Sequence, residues 1–582
     1  MRSRHGFLAL ALALAGVRCA APAARPGSAD DARTLALADA YVAAWFEREP
    51  LEATEVSWPG AADGRLPDRS PEAIAAWERR EDGWLAELSA LAPPAPGTPA
   101  ALARAIVLER LEAARGLRAC RFHLWSVSPI RGWQARLGDM AALQPVGTPR
   151  ARAAAVARLE ALPAFLAADL ENLRRGIRTG WVAPRASVER VIADLDALLA
   201  EPAATSALAL PGVRDPDPAF RAALASALEN AALPAIRAYR DALAAEVLPS
   251  ARASAGVADT PGGEGCYRAA LRSYATVDVA PAELHALGAR HLAEVERQMR
   301  ELAARSFGGE EIRALLRRLA TDPRHTFASR EDILERTRAA ERRARERLAR
   351  WFGRVPRAEV VVRPVAPFQE RSALVSYVVA AADGSRPGTI FVNPSEPARQ
   401  SRATLEAVAF HEGLPGHHLQ LGLAVEDARL PAAARFLAFD GFVEGWALYA
   451  ERLADEMGLY STDVERLGML SWEALRAARL VVDSGLHVLG WSEEQAVEFL
   501  LTHTSVSRRQ AAAQVARYVA TPGQAPSYLL GMLELRRLRD EAERALGDRF
   551  DLRAFHDRLL EHGSVPLAFA RSDVERWIIA RR

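Results

Sequence analysis

Lysine is absent from this sequence, so all 75 residues counted as Lys+Arg are arginine. Its absence excludes chemistry that needs a lysine amine: a Schiff base, a phosphate-loop lysine or a lysine general base. Cysteine is scarce, with three in 582 residues. Cys19, Cys120 and Cys266 lie too far apart for a cysteine-based zinc knuckle. No Gly-x-Ser-x-Gly stretch marks the elbow of a serine hydrolase. Neither charge is in excess, the net being +1, so neither a nucleic-acid surface nor an acidic disordered tail is indicated. Long hydrophobic runs are lacking too. Phe7 to Val17 is apolar apart from Gly16 but too short to span a bilayer. It follows the basic Met1-Arg-Ser-Arg4 and precedes the small residues Ala20, Ala21, Ala23 and Ala24, so residues 1–24 read as an export signal. The expected location is periplasmic or extracellular. Cys19 is a candidate lipid anchor, although Arg18 suits a lipobox poorly. Export leaves Cys120 and Cys266 able to join as a disulfide or to stay as two buried thiols.

What is present is a globular composition, 50% hydrophobic and 26% charged, in a chain long enough to bury a large core. Helical periodicity dominates residues 30–355. Leu284 to Arg305 repeats apolar residues at helical spacing, and Ile333 to Phe352 reads as a charged helix ending at Gly353. The character changes at residues 356–582. Glu359 to Val365, Leu374 to Ala380 and Thr389 to Asn393 read as strands, with a turn over Asp383–Gly388. Helices resume at Arg402. The expected fold is mainly α with one small β-sheet, the two regions forming one continuous lobed unit.

The sheet leads into His411-Glu-Gly-Leu-Pro-Gly-His417-His418, where three of the 12 histidines stand beside a glutamate. In His-Glu-x-x-His, two histidines one turn apart bind zinc and the glutamate takes a proton from the bound water. Here Pro415 occupies the second histidine's place. On an unbroken helix His418 would lie about 10.5 Å along the axis from His411, too far to share a metal. Pro415, Gly413 and Gly416 disfavour an unbroken helix. A bulge absorbing about two residues would bring His417 to His411, so His411 and His417 are the expected ligands, with His418 the alternative. Downstream, Glu444 in Phe439-Asp-Gly-Phe-Val-Glu-Gly-Trp sits among small and apolar residues. A carboxylate buried there needs a metal or a cation, so Glu444 is the candidate third ligand, with an ion pair to an arginine as the alternative. Glu451, beside Arg452, reads as more solvent-facing. Asp483 and His487, one helical turn apart, are a candidate pair for orienting the metal ligands from behind. Arg479 is a candidate for a substrate carboxylate, though more often such a residue is a surface charge. His556 and His562 are further cleft candidates.

The stretch His411 to Gln420 resembles the signature of the bacterial domain-of-unknown-function 885 family, which looks like a distant relative of thimet oligopeptidase and carboxypeptidase Taq type zinc metallopeptidases. Asp383 to Asn393, Gly441 to Ala447, Arg479 to Trp491 and Pro522 to Gly531 extend the resemblance over the C-terminal half. It implies a large helical fold with a deep cleft, the ligand set His411, His417 and Glu444, and Tyr528 as donor to an oxyanion. The expected activity is that of a metallopeptidase with one zinc ion per chain, Glu412 as general base and short peptides as substrates. His418, His487, Asp483 and Asn393 are expected around the metal or the substrate, and strand Thr389–Asn393 is expected to pair with an extended peptide. The competing expectations are a zinc hydrolase of a non-peptide amide or ester, and a non-catalytic secreted metal-containing binding protein.

Overall fold

Helix starts are written plainly in the N-terminal half. Ser70, Thr98 and Thr148 each precede a proline, and each side chain accepts a hydrogen bond from the backbone three residues on. The proline supplies a preset φ where no N–H is needed, and the hydroxyl satisfies a donor the helix cannot. The computed structural model describes residues 28–365, 370 and 375–582. The export signal, Cys19 and Leu374 therefore lie outside the described residues.

The protein is mainly α with one small sheet. The helix expected at Leu284–Arg305 spans Pro281–Ser306, and the charged helix spans Arg330–Trp351. Buried apolar residues from Leu37 to Ile578 form one contiguous cluster. At its centre runs the Asp463–His487 helix, which is buried on every side from Glu473 to His487. Pro281–Ser306 lies along it so closely that a Cβ at Gly288 would sit 2.7 Å from Leu480 Cβ. A helix buried all round has no solvent face, so its polar residues Arg476, Arg479, Asp483 and His487 must be satisfied within the protein or by something it binds.

The sheet has the order β1-β3-β2, with β1 Val360–Pro364, β2 Ser376–Val378 and β3 Gly388–Val392. β1 runs parallel to β3 and β2 antiparallel to it. Pro364 can sit in β1 because β1 is an edge strand. Val362, Ile390 and Val392 pack on Phe327, Ile333 and Leu334 as a separate small cluster. The central place of β3 corrects one expectation: both of its edges are paired, so a peptide cannot add to it as a strand.

Cys120 and Cys266 form a disulfide. It joins the segment after the Pro99–Leu117 helix to the Gly263–Ala275 helix, across 146 residues.

The Asp440–Glu456 helix crosses the Ser527–Leu546 helix at glycines. A Cβ at Gly445 would stand 2.5 Å from Gly531 Cα, and one at Gly531 would stand 1.8 Å from the Gly441 carbonyl oxygen. The obstacles are backbone, so neither can rotate away. This crossing brings Tyr528, one turn before Gly531, towards Glu444. Gly531→Ala is therefore expected to destabilise the protein by roughly 1–3 kcal/mol through overpacking, read as a lower denaturant midpoint. An unchanged midpoint would show that the crossing is looser than described.

Candidate functional site

The helix that carries His411 spans Leu405–Glu412 and stops at Gly413. The chain turns over Gly413–Gly416, with a cis Leu414–Pro415 peptide, and re-enters a helix at His417–Glu426. The break is complete, where the sequence suggested a bulge, but the consequence is the same. Gly416 folds back on the helix end so tightly that a Cβ there would lie 2.0 Å from the His411 carbonyl oxygen. Three groups fix the turn. Leu414 N–H donates to Glu341 at 3.2 Å, His418 N–H to the Gly413 carbonyl at 3.1 Å, and the Trp446 indole N–H to the Pro415 carbonyl at 3.0 Å. His417 is thereby delivered beside His411, their rings 4.7 Å apart and nearly perpendicular.

Glu444 comes from the facing Asp440–Glu456 helix. Its Oε2 is 3.3 Å from His411 Nε2 and 3.6 Å from His417 Nε2. A tetrahedral ion with bonds near 2.0–2.1 Å separates its ligands by about 3.4 Å, so both edges that run from Glu444 have the length such an ion requires. Glu444 Oε2 and His417 Nδ1 are buried and lack hydrogen-bond partners. The Glu444 side chain keeps 20% of its exposure, against 6% for His411 and 10% for His417, so the carboxylate side chain is the donor that meets solvent. Burial acts to raise the Glu444 carboxyl, but the two imidazoles pull it well below its ordinary value. Burial acts to lower the His411 imidazole, but contact with Glu444 and Glu451 raises it to about 9. The negative field that holds a proton on His411 equally favours a metal cation. The residues present thus fit a zinc ion in both geometry and charge.

Glu451 is the residue that the sequence reading misplaced. It is 1% exposed, and its Oε1 lies 2.8 Å from His411 Nδ1. Seven residues on a helix is close to two turns, so Glu444 and Glu451 share a face and take one nitrogen each of the same imidazole. That spacing was the available signal, and Arg452 turns instead to Glu473. A carboxylate on the far nitrogen orients a ligating histidine and raises its basicity.

Two further expected groups surround the donors. Glu412 is partly exposed, and burial raises its carboxyl above the ordinary value while His417 and His411 oppose that rise. Tyr528 stacks against His411, with ring centres 6.4 Å apart and planes 16° apart.

The structure places the other candidates elsewhere. His418 points to the sheet: its Nδ1 meets Tyr377 Oη at 2.9 Å and its Nε2 meets the Ala358 carbonyl at 3.1 Å. The carbonyl can only accept, so Nε2 carries the proton and Nδ1 accepts from the tyrosine. Burial lowers this imidazole to about 4. With both nitrogens engaged, His418 is neither the alternative ligand nor a substrate group; it anchors β2 and the chain before β1 to the His417–Glu426 helix. Asp483 and His487 do face each other, Oδ1 to Nε2 at 3.9 Å, but their hydrogen bonds go to groups other than the metal donors. Asp483 accepts from Tyr267 Oη at 2.8 Å and from Gly523 N–H at 3.0 Å, and burial raises it to about 7. His487 accepts from Val257 N–H and donates to the Tyr518 carbonyl. Together they fasten the segment that leads to Tyr528. Asn393 donates to the Glu370 carbonyl and accepts from Ser395 N–H, organising the chain after β3. His556 lies between Tyr449 Oη and the Trp351 carbonyl. His562 converges with Glu561 and Asp573, but Arg558 and Arg576 already neutralise Asp573. No arginine pairs with Glu444 among the described residues, which sets the two clusters apart.

His417→Ala is expected to abolish zinc retention, whereas His418→Ala keeps one zinc per chain and loses only stability. Glu451→Gln is expected to weaken zinc affinity roughly 10–100-fold; metal counting and competition with a chelator read both, and an H418A protein without zinc would overturn the assignment. Glu341 gives a test of the turn. It is buried and its carboxyl is raised to about 8, so its contribution is fully present below pH 4.5 and is lost as pH rises towards 8. Glu341→Gln removes that loss. Its stability relative to wild type is expected to rise by on the order of 2 kcal/mol between pH 5 and pH 7; a pH-independent difference in denaturation midpoints would contradict this.

Comparison with known proteins agrees with the fold and leaves the chemistry open. No curated protein matches the chain. A solved structure of a "putative lipoprotein" from Colwellia psychrerythraea is similar over 95% of this chain and 99% of its own, with a TM-score of 0.88 and 23% identity. Another, a "putative lipoprotein of unknown function" from Shewanella oneidensis, is similar over 93% and 99%, with a TM-score of 0.72 and 19% identity. No helix of the described residues is long and apolar enough to cross a membrane. A family model matches residues 50–574, and the chain accordingly belongs to the DUF885 family, bacterial proteins of unknown function.

Proposed function

We propose that this protein is a zinc-dependent hydrolase, and specifically a metallopeptidase that cleaves short peptides. The observation that carries the reading is the convergence of His411 Nε2, His417 Nε2 and Glu444 Oε2 on one point, with Glu451 behind His411. A zinc ion held by these three residues supplies a Lewis acid for the scissile carbonyl and acidifies a water molecule. Glu412 adjoins the ligand His411 and is raised by burial, which suits a group that must take a proton and give it up again near neutral pH. It takes one proton from the attacking water, whose oxygen bonds to the carbonyl carbon. The C–N bond breaks and Glu412 passes that proton to the departing amine. Tyr528, whose ring stacks on His411, is the donor assigned to the oxygen that gains charge. Glu451 keeps His411 oriented through Nδ1.

The DUF885 family looks like a distant relative of thimet oligopeptidase and carboxypeptidase Taq type enzymes, whose third-ligand Phe-Val-Glu segment and later tyrosine resemble Phe442–Glu444 and Tyr528; this favours peptides over other amides. A base beside the ligands favours catalysis over a purely structural metal. The export reading of residues 1–24 is supported by the Cys120–Cys266 disulfide, which belongs to oxidising compartments. The names of the two structural neighbours support a lipid anchor at Cys19. Glu412→Gln is expected to keep one zinc per chain and lower peptide cleavage by at least 100-fold, read by mass spectrometry of a mixed peptide library. Full cleavage by that variant would refute the base assignment, and zinc without cleavage of any peptide by wild type would favour the non-peptide hydrolase or the binding protein.

A further inference from the structure

Three arginines meet at the ring of Tyr528. The guanidinium carbons of Arg479, Arg517 and Arg476 lie 4.5, 5.7 and 5.8 Å from its centre. Arg476 and Arg479 are 5% and 3% exposed, on the buried central helix; Arg517 is partly exposed, on the Arg508–Ala520 helix. Buried arginines are ordinarily paired with carboxylates. Here, among the described residues, Arg479 and Arg517 have no carboxylate at ion-pair distance, and Arg476 has only Glu451 at 3.7 Å. Their other contacts are neutral: Arg479 donates to Tyr518 Oη and Gln514 Oε1, and Arg517 to Gln524 Oε1. Arg476 Nε, Arg479 Nη1 and Arg517 Nε are buried donors with no acceptor. Four acids face the cluster electrostatically and each is engaged elsewhere: Glu444 at the metal position, Glu451 on His411, Asp440 with Gln524, and Asp483 with Tyr267 and Gly523. Three guanidiniums, each with a buried nitrogen that has no acceptor, make a cluster chemically suited to an anion.

We propose that Arg476, Arg479 and Arg517 bind a carboxylate of the substrate, and that this carboxylate is the peptide's C-terminus. Tyr528 touches both sites: its ring stacks on His411 at 6.4 Å and lies under Arg479 at 4.5 Å. Those separations span no more than about three residues of extended chain at ~3.5 Å each. A carboxylate held at the arginines therefore places the bond to be cut one to three residues from the chain end. The protein releases single amino acids, dipeptides or tripeptides from the C-terminus. The cleavage pattern rests on the peptidase reading above; the carboxylate site does not.

The test separates the two. Zinc-loaded full-length protein is titrated calorimetrically with succinate and with the uncharged succinamide. Succinate is expected to bind and succinamide not, with succinate at least tenfold weaker in Arg479→Gln and in Arg517→Gln, both retaining zinc. Arg517 is the less buried, so its variant keeps the test valid if Arg479→Gln does not fold. Equal succinate binding in wild type and R517Q would overturn the proposal. Matched peptides then locate the carboxylate. Cleavage with a free C-terminus is expected to exceed that of the C-terminal amide by at least 100-fold in kcat/KM, with KM raised in R517Q. Equal cleavage of amidated peptides containing Asp or Glu would assign the site to side-chain carboxylates and overturn C-terminal action. Succinate binding that depends on the arginines, with no peptide cleaved, would support the site and remove the peptidase reading alone.

Discussion

The imidazole of His411 is held between two carboxylates of one helix, and the site is built around that grip. Glu451 takes Nδ1 at 2.8 Å and Glu444 faces Nε2 at 3.3 Å. The ring therefore has one orientation, and its outward nitrogen points at the position shared with His417. Everything nearby serves that alignment. The Gly413–Gly416 turn carries His417 round to the same point, Trp446 holds the turn from the Glu444 helix, and the Gly445–Gly531 crossing lets Tyr528 approach from the other side. An error of one residue in any of these helices would part the donors.

Charge is distributed in the core with the same economy of place. Acids gather where a cation would sit: Glu444, Glu451 and the adjoining Glu412. Arginines gather around Tyr528, a few ångströms further along. In a low-dielectric interior such separated charges are costly unless ligands complete them. A metal at one end and an anion at the other would satisfy both clusters, and the peptide proposed above would bridge them. The surrounding histidines His418, His487 and His556 hold neutral structural roles, each lowered to about 4 by burial.

Much of this was legible in the sequence. Helical periodicity over residues 30–355 and the three short β-branched runs gave the mainly helical fold with its small sheet, because those signals are local. The break at Pro415 was legible for the same reason, and with it the pairing of His411 with His417. What remained hidden depends on partners distant in the chain. Arg452 beside Glu451 suggested solvent, yet Arg452 belongs to Glu473 and Glu451 to His411. His418 was drawn towards the metal by its neighbours in sequence, while Tyr377 and Ala358, some 41 and 60 residues earlier, hold it at the sheet. Arg479 looked like one surface charge among many because nothing local announces that its helix is buried on all sides. Strand order likewise is a property of three segments together, so the central place of β3 could not be read from β3.

The most direct test of the central claim is zinc K-edge X-ray absorption on purified full-length protein, with the metal counted on the same sample. One zinc per chain, bound by two imidazoles and a carboxylate oxygen at about 2.0–2.1 Å with no sulfur, is the predicted result. A protein that retains no zinc from a zinc-containing medium, or a metal bound by one imidazole or none, would contradict it.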